Sequence, residues 1–275
     1  MKTHLYILTG SILLLAACSK SDDSAAPAAP TYQAHECRVL TQTDSANPAN
    51  HTTYEYDTQK RLVKQTETYD YGNGLKTKIA TYTHTANQIE ATVSSQNDTV
   101  RMTYSLVSGK VMGYITTTGR GARQLKDTLT FYYAGSLVPR ITYTNSFYTS
   151  NDRLVHLTTE QNLTYGPDGL LIGGTIKTIG PDRVEVDQSD LYTYDNAPII
   201  KSIPDFEILP GYKVITGTKM PTKITTKDAS GNVFYTVTHV ATINARGFLE
   251  KLQRNTFSTT SGSSRTTTIY TYACD

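Results

Sequence analysis

The sequence predicts an all-β protein, a large antiparallel meander of about 14 strands. Three observations carry this expectation. Alternation with a period of two runs through nearly the whole chain after its first residues. No later segment sustains a helical period over three turns. Gly-bearing breaks fall at hairpin spacing, in "YGNGLK", "VSGKV", "TGRGAR", "DASGNV" and "TTSGSSR". Without helices for parallel crossovers, sequential antiparallel hairpins are the simplest topology.

The first element is not part of that sheet. "MKTHLYILTGSILLLAAC" carries Lys2, an apolar run from Leu5 to Ala17, and then Cys18. The run is shorter than the roughly 20 apolar residues of a membrane span and polar chain follows at once, so residues 1–17 read as a signal peptide. Leu15-Ala16-Ala17-Cys18 resembles the lipobox of bacterial lipoproteins, which implies cleavage before Cys18 and lipidation of its thiol and amine. Residues 18–33 then form a tether, because the Ser, Asp, Ala and Pro of "SKSDDSAAPAAP" bury too little apolar surface to offset chain entropy. Lys20, Asp22 and Asp23 resemble a surface-export signal of Bacteroidota-type lipoproteins, with a generic solvated linker as the alternative. Ser19 after the lipid Cys is similar to the outer-membrane sorting pattern.

Residues 34–275 have uniform composition and read as one all-β domain of roughly 240 residues, large enough to need no stabilising metal. A net charge of +2 with both signs interspersed argues against nucleic acid as a partner. The 20 Tyr and abundant Thr suit pleated, half-buried surfaces. Met102, Tyr104 and Leu106 alternate with Arg101, Thr103 and Ser105. Leu129, Phe131 and Tyr133 share a face, as do Ile141 with Tyr143, and Val233, Tyr235, Val237, Ala241 and Ile243. "APIIKSIPDFEILPGYKV" breaks the pattern, since Pro198, Pro204 and Pro210 interrupt any ladder; a long loop or a cap over one end of the sheet is expected. Cys37 and Cys274 stand near the two ends of the domain. In an oxidising compartment such a pair usually forms a disulfide, which would set the first and last strands side by side; two unpaired thiols are the alternative.

A strand–turn–strand device recurs. Tyr56-Asp57 precedes Leu62, Tyr165-Gly166 precedes Leu171, Tyr194-Asp195 precedes Ile200, and Ile243-Asn244 precedes Leu249. Asp, Asn and Gly tolerate turn geometry or bond their own backbone. The copies are irregularly spaced, so they are a reused corner and not a solenoid period. "YEYDTQKRL", "TYGPDGLL" and "YTYDNAPII" resemble the YD repeats of Rhs-type proteins. With the lipobox and tether, they make the chain similar to domain-of-unknown-function family 4595 of Bacteroidota lipoproteins, described as porin-like in fold. That resemblance implies a strongly curved sheet or porin-like barrel and no catalytic residues. Ala197 and Pro198 interrupt the third copy, and Ile243 replaces Tyr in the fourth.

No catalytic constellation emerges, no metal site, and no cofactor is implied. His35, His51, His84, His156 and His239 are scattered singly. There is no nucleophile elbow and no phosphate-binding Gly loop. Glu185 and Asp187 would share a strand face, yet "DRVEVDQSD" reads more simply as the polar side of a strand. Lys76 and Lys78 share a face with Ala80 and Tyr82, a pattern that opposes a lipid-facing wall. The expectation is a non-enzymatic outer-membrane or cell-surface lipoprotein, surface-exposed or periplasm-facing. It meets the membrane through its lipid anchor only and has a structural role or holds a glycan or a surface protein. A carboxylate-dependent glycan hydrolase is the alternative and a membrane pore the second. Metabolic labelling with radioactive palmitate tests the anchor: the wild-type chain incorporates label, and Cys18→Ala incorporates none and leaves the membrane fraction.

Overall fold

The computed structural model describes residues 37–274 apart from 71, 73, 97, 119–124, 149–151, 181–183 and 202–218, with side chains also left aside at 184–187. The signal peptide, Cys18, the tether, and the side chains of Glu185 and Asp187 therefore lie outside the described residues. The chain runs through β1 (Cys37–Asp44), β2 (His51–Tyr56), β3 (Leu62–Tyr69), β4 (Lys76–His84), β5 (Gln88–Ser94) and β6 (Thr99–Val107). It continues through β7 (Lys110–Thr118), β8 (Leu125–Ala134), β9 (Leu137–Tyr148), β10 (Leu154–Tyr165) and β11 (Leu171–Ile179). Then come β12 (Val184–Thr193), β13 (Lys223–Lys227), β14 (Val233–Ile243), β15 (Leu249–Ser258) and β16 (Gly262–Cys274).

Each strand pairs antiparallel with its sequence neighbours, and β1 pairs with β16, so the meander closes into a barrel without edges. The 16 strands exceed the roughly 14 expected from turn signals. The difference comes from reversals that use no glycine. One is Thr85–Asn87, where the Thr85 N–H donates to the Gln88 carbonyl. Cys37 stands opposite Cys274 in the closing register, and a disulfide joins them across 237 residues of chain.

The two faces of the wall have opposite character. One in-register row reads His84, Ile89, Tyr104, Tyr114, Leu129 and Tyr143 from β4 to β9. These alternate residues face the interior, where Ile89, Tyr104, Phe131, Ile141 and Leu163 belong to one buried cluster. The row beside it on the outer face reads Thr103, Ile115, Thr128, Thr144 and Thr158. Another outer row reads Thr271, Thr41, Thr53, Thr66, Ile79 and Ser94. Exposed apolar residues such as Ile79, Ile115 and Val240 are thus set singly among polar neighbours.

Two sequence expectations change here. Lys76 and Lys78 lie on the Ala80 face, which is the interior; their charge therefore says nothing about a lipid-facing wall. Val233 does not share the inward face of Val237, because a bulge in β13–β14 pairs it with Lys227 and leaves it exposed.

A round barrel of 16 strands would enclose an aqueous channel. Here one end is filled instead. Cys37, Cys274 and the β2–β3, β10–β11 and β14–β15 turns all lie at the same end, as antiparallel alternation requires. The buried residues concentrate there. Ile89, Val111 and Leu249 are 0% exposed, which same-sheet neighbours alone do not achieve; cover from above is needed. Around β1–β3 and β15–β16, part of that cover is Ile200 and Met220, from the segments flanking 202–218, packed with Leu62, Leu249 and Tyr270. Fully burying one such aliphatic side chain contributes about 1.5–3 kcal/mol.

Removing the seam bond tests how far closure depends on it. Cys37→Ala with Cys274→Ala is expected to lower unfolding stability by up to about 5 kcal/mol in the chain-entropy model. Thermal denaturation with and without reductant reads this: wild type loses stability on reduction, whereas the double variant is unchanged by it.

Candidate functional site

The recurring corner has a shared geometry. At Asp57 the backbone N–H donates to the Arg61 carbonyl, and the Lys60 N–H donates back to Asp57. Gly166–Leu170 and Asn244–Phe248 close the same way, and Asp228–Asn232 adds a copy that the sequence motif did not single out. A bulge lies just past each corner, at Val63, Ile172 and Glu250, and Tyr56 pairs with Leu62, Tyr165 with Leu171 and Ile243 with Leu249. The fourth residue of each turn has positive φ: 65° at Lys60, 75° at Gly169 and 88° at Gly247. That conformation explains the glycines, and it costs Lys60 about 1–2 kcal/mol.

Asp57 offsets this cost. Its Oδ1 accepts the N–H groups of Gln59 and Arg61 at 2.9 Å, and its Oδ2 meets the Arg61 guanidinium at 2.7–2.8 Å. Partial burial works to raise the carboxyl's pKa, but the hydrogen bonds and charge of Arg61 outweigh it, and the value lies below the ordinary range. The third copy forms no such corner. Ala197 N–H reaches Tyr194 O, β12 ends before Asp195, and Ile200 turns into the core instead of opening a paired strand.

The motif tyrosines have a structural use. The hydroxyls of Tyr56, Tyr165 and Tyr194 donate to the carbonyls of Val39, Val138 and Leu171 at 2.9, 3.2 and 2.9 Å. Tyr133 does the same to Val111 at 2.7 Å and Tyr272 to Leu249 at 2.5 Å, while His84 Nε2–H takes the equivalent place against Leu62 at 2.7 Å. In every case the acceptor is one of the first three residues of the preceding strand, so these rings stitch neighbouring strands together around the closed end. Burial pushes the Tyr165 phenol up, and burial with the nearby Asp168 charge pushes Tyr194 to about 12. The trace of this ring in the sequence is a Tyr or His at or next to the closed-end terminus of a strand.

The structure also brings together groups that the sequence separates. Ser146 Oγ lies 2.8 Å from His156 Nδ1, with Asp127 Oδ1 accepting the Ser146 N–H. The arrangement is not a nucleophile with its base. Ser146 donates its hydroxyl proton to the Lys126 carbonyl and so accepts from His156. His239 is held by the Pro221 carbonyl at 2.8 Å. Among the described residues, no group of three His, Cys, Asp or Glu could hold a metal ion.

Above the filled end, the lumen carries polar groups anchored by buried partners. Tyr82, from β4, packs on both core clusters, and its hydroxyl donates to Gln65 Oε1 at 3.2 Å. Tyr192, from β12, packs on the first cluster and lies 3.5 Å from Asp190 Oδ2, while the buried Thr226 hydroxyl donates to Asp190 Oδ1 at 2.7 Å. Burial raises the pKa of both phenols, reinforced at Tyr192 by the Asp190 charge, so both stay protonated donors near neutral pH. Tyr54 orients Gln42 in the same way at 2.9 Å, and Glu67 meets Lys78 at 3.5 Å nearer the open end.

The barrel is similar to two solved structures. A porin-like protein from Bacteroides vulgatus ATCC 8482 superposes with a TM-score of 0.57 at 14% identity, covering 86% of this chain and 98% of that one. A porin-like protein from Bacteroides uniformis ATCC 8492 gives the same TM-score and identity over 88% and 100%. The fold is porin-like. No protein-family model matches the sequence, and no curated protein is similar enough to match it.

The Asp57 corner yields a pH-dependent prediction. Asp57→Asn keeps Oδ1, as Asn244 does in the fourth copy, and removes only the charge facing Arg61. The cost is expected to be up to about 1 kcal/mol at neutral pH for a pair that is 21% and 33% exposed. Because the folded pKa is depressed, this stability is complete above the ordinary carboxylate value and disappears as pH falls through the lower folded one. Urea titrations across that window should show the two chains converging in acid.

Proposed function

We propose that the chain is an exported, non-enzymatic lipoprotein whose barrel is a binding cup standing in water. One observation carries this reading: apolar side chains fill the interior and Thr-rich polar rows cover the outside. A transmembrane barrel needs the reverse, an outward apolar band about 25 Å tall. The outer isoleucines and valines are too scattered among threonines to supply it. The filled end also opposes a through-channel. A membrane pore is the competing reading, favoured by the porin-like fold.

In the proposal, residues 1–17 are removed, Cys18 carries the lipid, and residues up to 33 tether the cup to the outer membrane, facing the surface or the periplasm. The chain re-enters the barrel at Cys37, at the filled end, so the open mouth faces away from the anchor. Membership of family 4595 and kinship with YD repeats rest on the motifs around Tyr56-Asp57 and Tyr165-Gly166. The ligand is a glycan or a surface protein. A hydrolase has less support, since both hydroxyl contacts to Asp190 serve to hold it in place.

The chain from Ser19 onward, purified without detergent, separates cup from pore. Light scattering should give a monodisperse particle, and addition to a planar lipid bilayer should give no conductance steps. A requirement for detergent, or discrete conductance, would sink the reading.

A further inference from the structure

We propose that the inner wall formed by β11, β12 and β13 binds a primary ammonium group, with Asp190 as its counter-charge. This rests on reading the barrel as a cup and names a chemistry that its ligand carries. Asp190 faces inward, in register with the buried Gly174 on β11 and the buried Thr226 on β13. β13 is short, with five residues against ten in β12 and eleven in β14. Thr226 stands two positions before Asp228, where the turn to Asn232 forms the lip of the wall at the open end. The half-buried Asp190 carboxylate therefore lies just inside that lip.

The carboxylate is held in place but not neutralised. The Thr226 hydroxyl donates to Oδ1 at 2.7 Å, and the Tyr192 hydroxyl lies 3.5 Å from Oδ2. The inward positions around it on the three strands are Gly174, Ile176, Gln188, Tyr192, Ile224 and Thr226, and none is cationic. Among the described residues, no Lys or Arg forms an ion pair with it. Glu67, an inward carboxylate on β3, differs in being matched by Lys78 at 3.5 Å. A carboxylate accepts about four hydrogen bonds, so acceptor capacity remains at Asp190.

The negative charge makes no ionic contact within the fold. An amide in the same place would still accept the Thr226 hydroxyl, and withdrawing an ion from water without a counter-charge is costly. The cation that balances it comes from the ligand. A metal ion needs several converging ligands, and no group of three His, Cys, Asp or Glu stands together among the described residues. An ammonium on a carbon stem fits instead. Its N–H groups donate to the remaining lone pairs of Asp190, and its stem meets the apolar surface of Ile176, Ile224 and the Tyr192 ring. Thr226 and Tyr192 already orient the carboxylate, so little ordering is left for the ligand to bring about.

The test titrates the chain from Ser19 onward, which retains the whole barrel, with ethanolamine and with glucosamine, a straight-chain and a ring carrier of a primary ammonium. N-acetylglucosamine, whose nitrogen is uncharged, is the control. Calorimetry and saturation-transfer NMR read binding. At least one amine should bind, and which one does identifies the carrier; N-acetylglucosamine should not bind. Asp190→Asn should weaken the bound amine by about tenfold or more. Glu67→Gln, at the carboxylate already matched by Lys78, should leave it unchanged. Asp190→Asn should also melt no lower than wild type, which separates a lost site from a lost fold. No binding by either amine, equal binding of N-acetylglucosamine, or amine binding unchanged in Asp190→Asn overturns the assignment. A lower melting temperature in Asp190→Asn would mark the charge as structural and overturn it too. Any of these results with a monodisperse, non-conducting particle removes only this site, whereas bilayer conductance would remove the cup itself.

Discussion

The hydrogen-bonded seam between β1 and β16 is the constraint on which the rest of this structure depends. A meander of this length with free ends would expose two rows of unpaired N–H and C=O groups, a template for further pairing. Pairing from Cys37 with Cys274 to Asp44 with Thr268 removes both edges and forces every strand to choose one face for the inside. The bulge near Leu40 absorbs the mismatch in that seam, and Tyr56, Arg38 and Tyr272 cluster beside it.

Closure alone would leave a channel, and what fills it decides the character of the molecule. The inward rows carry Tyr, Phe, Leu and Ile toward the end that holds Cys37 and Cys274, and polar residues toward the other. Corners with positive φ at Lys60 and Gly169 let strands turn back immediately after the inward Tyr56 and Tyr165, so these rings collect at one level. Their hydroxyls then satisfy carbonyls of the neighbouring strand, each worth about 1 kcal/mol net. The same residues that build the floor leave Gln65, Asp190 and the Glu67–Lys78 pair on the inner wall above it.

Much of this was legible in the residues because strand alternation and turn chemistry are local. The shared faces of Leu129 with Phe131 and of Ile141 with Tyr143 follow from a period of two, the corners at Asp57 and Asn244 from side chains that bond their own backbone, and the corner at Gly166 from glycine's tolerance of turn geometry. Legibility failed where geometry departs from the local rule. A bulge sent Val233 outward. Pro198 broke the Tyr194 copy, and Ile200 became core instead of opening a strand. Glycine-free reversals hid two strands. Neither Tyr82 beside Gln65 nor Asp190 beside Thr226 has a motif, because the first pair is separated by 17 residues and the second by 36 and each meets only across strands.

By itself the sequence determined an all-β meander, its alternating faces and most of its corners, since each depends on residues a few positions apart. It did not determine which alternating face was the inside. Lys76, Lys78, Ala80 and Tyr82 share one face in any antiparallel arrangement; only closure of the ring placed that face in the lumen. The tertiary structure also decided that the lumen is filled at one end. Complete burial of Ile89, Val111 and Leu249 requires walls and caps brought together from distant parts of the chain, and no local pattern encodes that meeting.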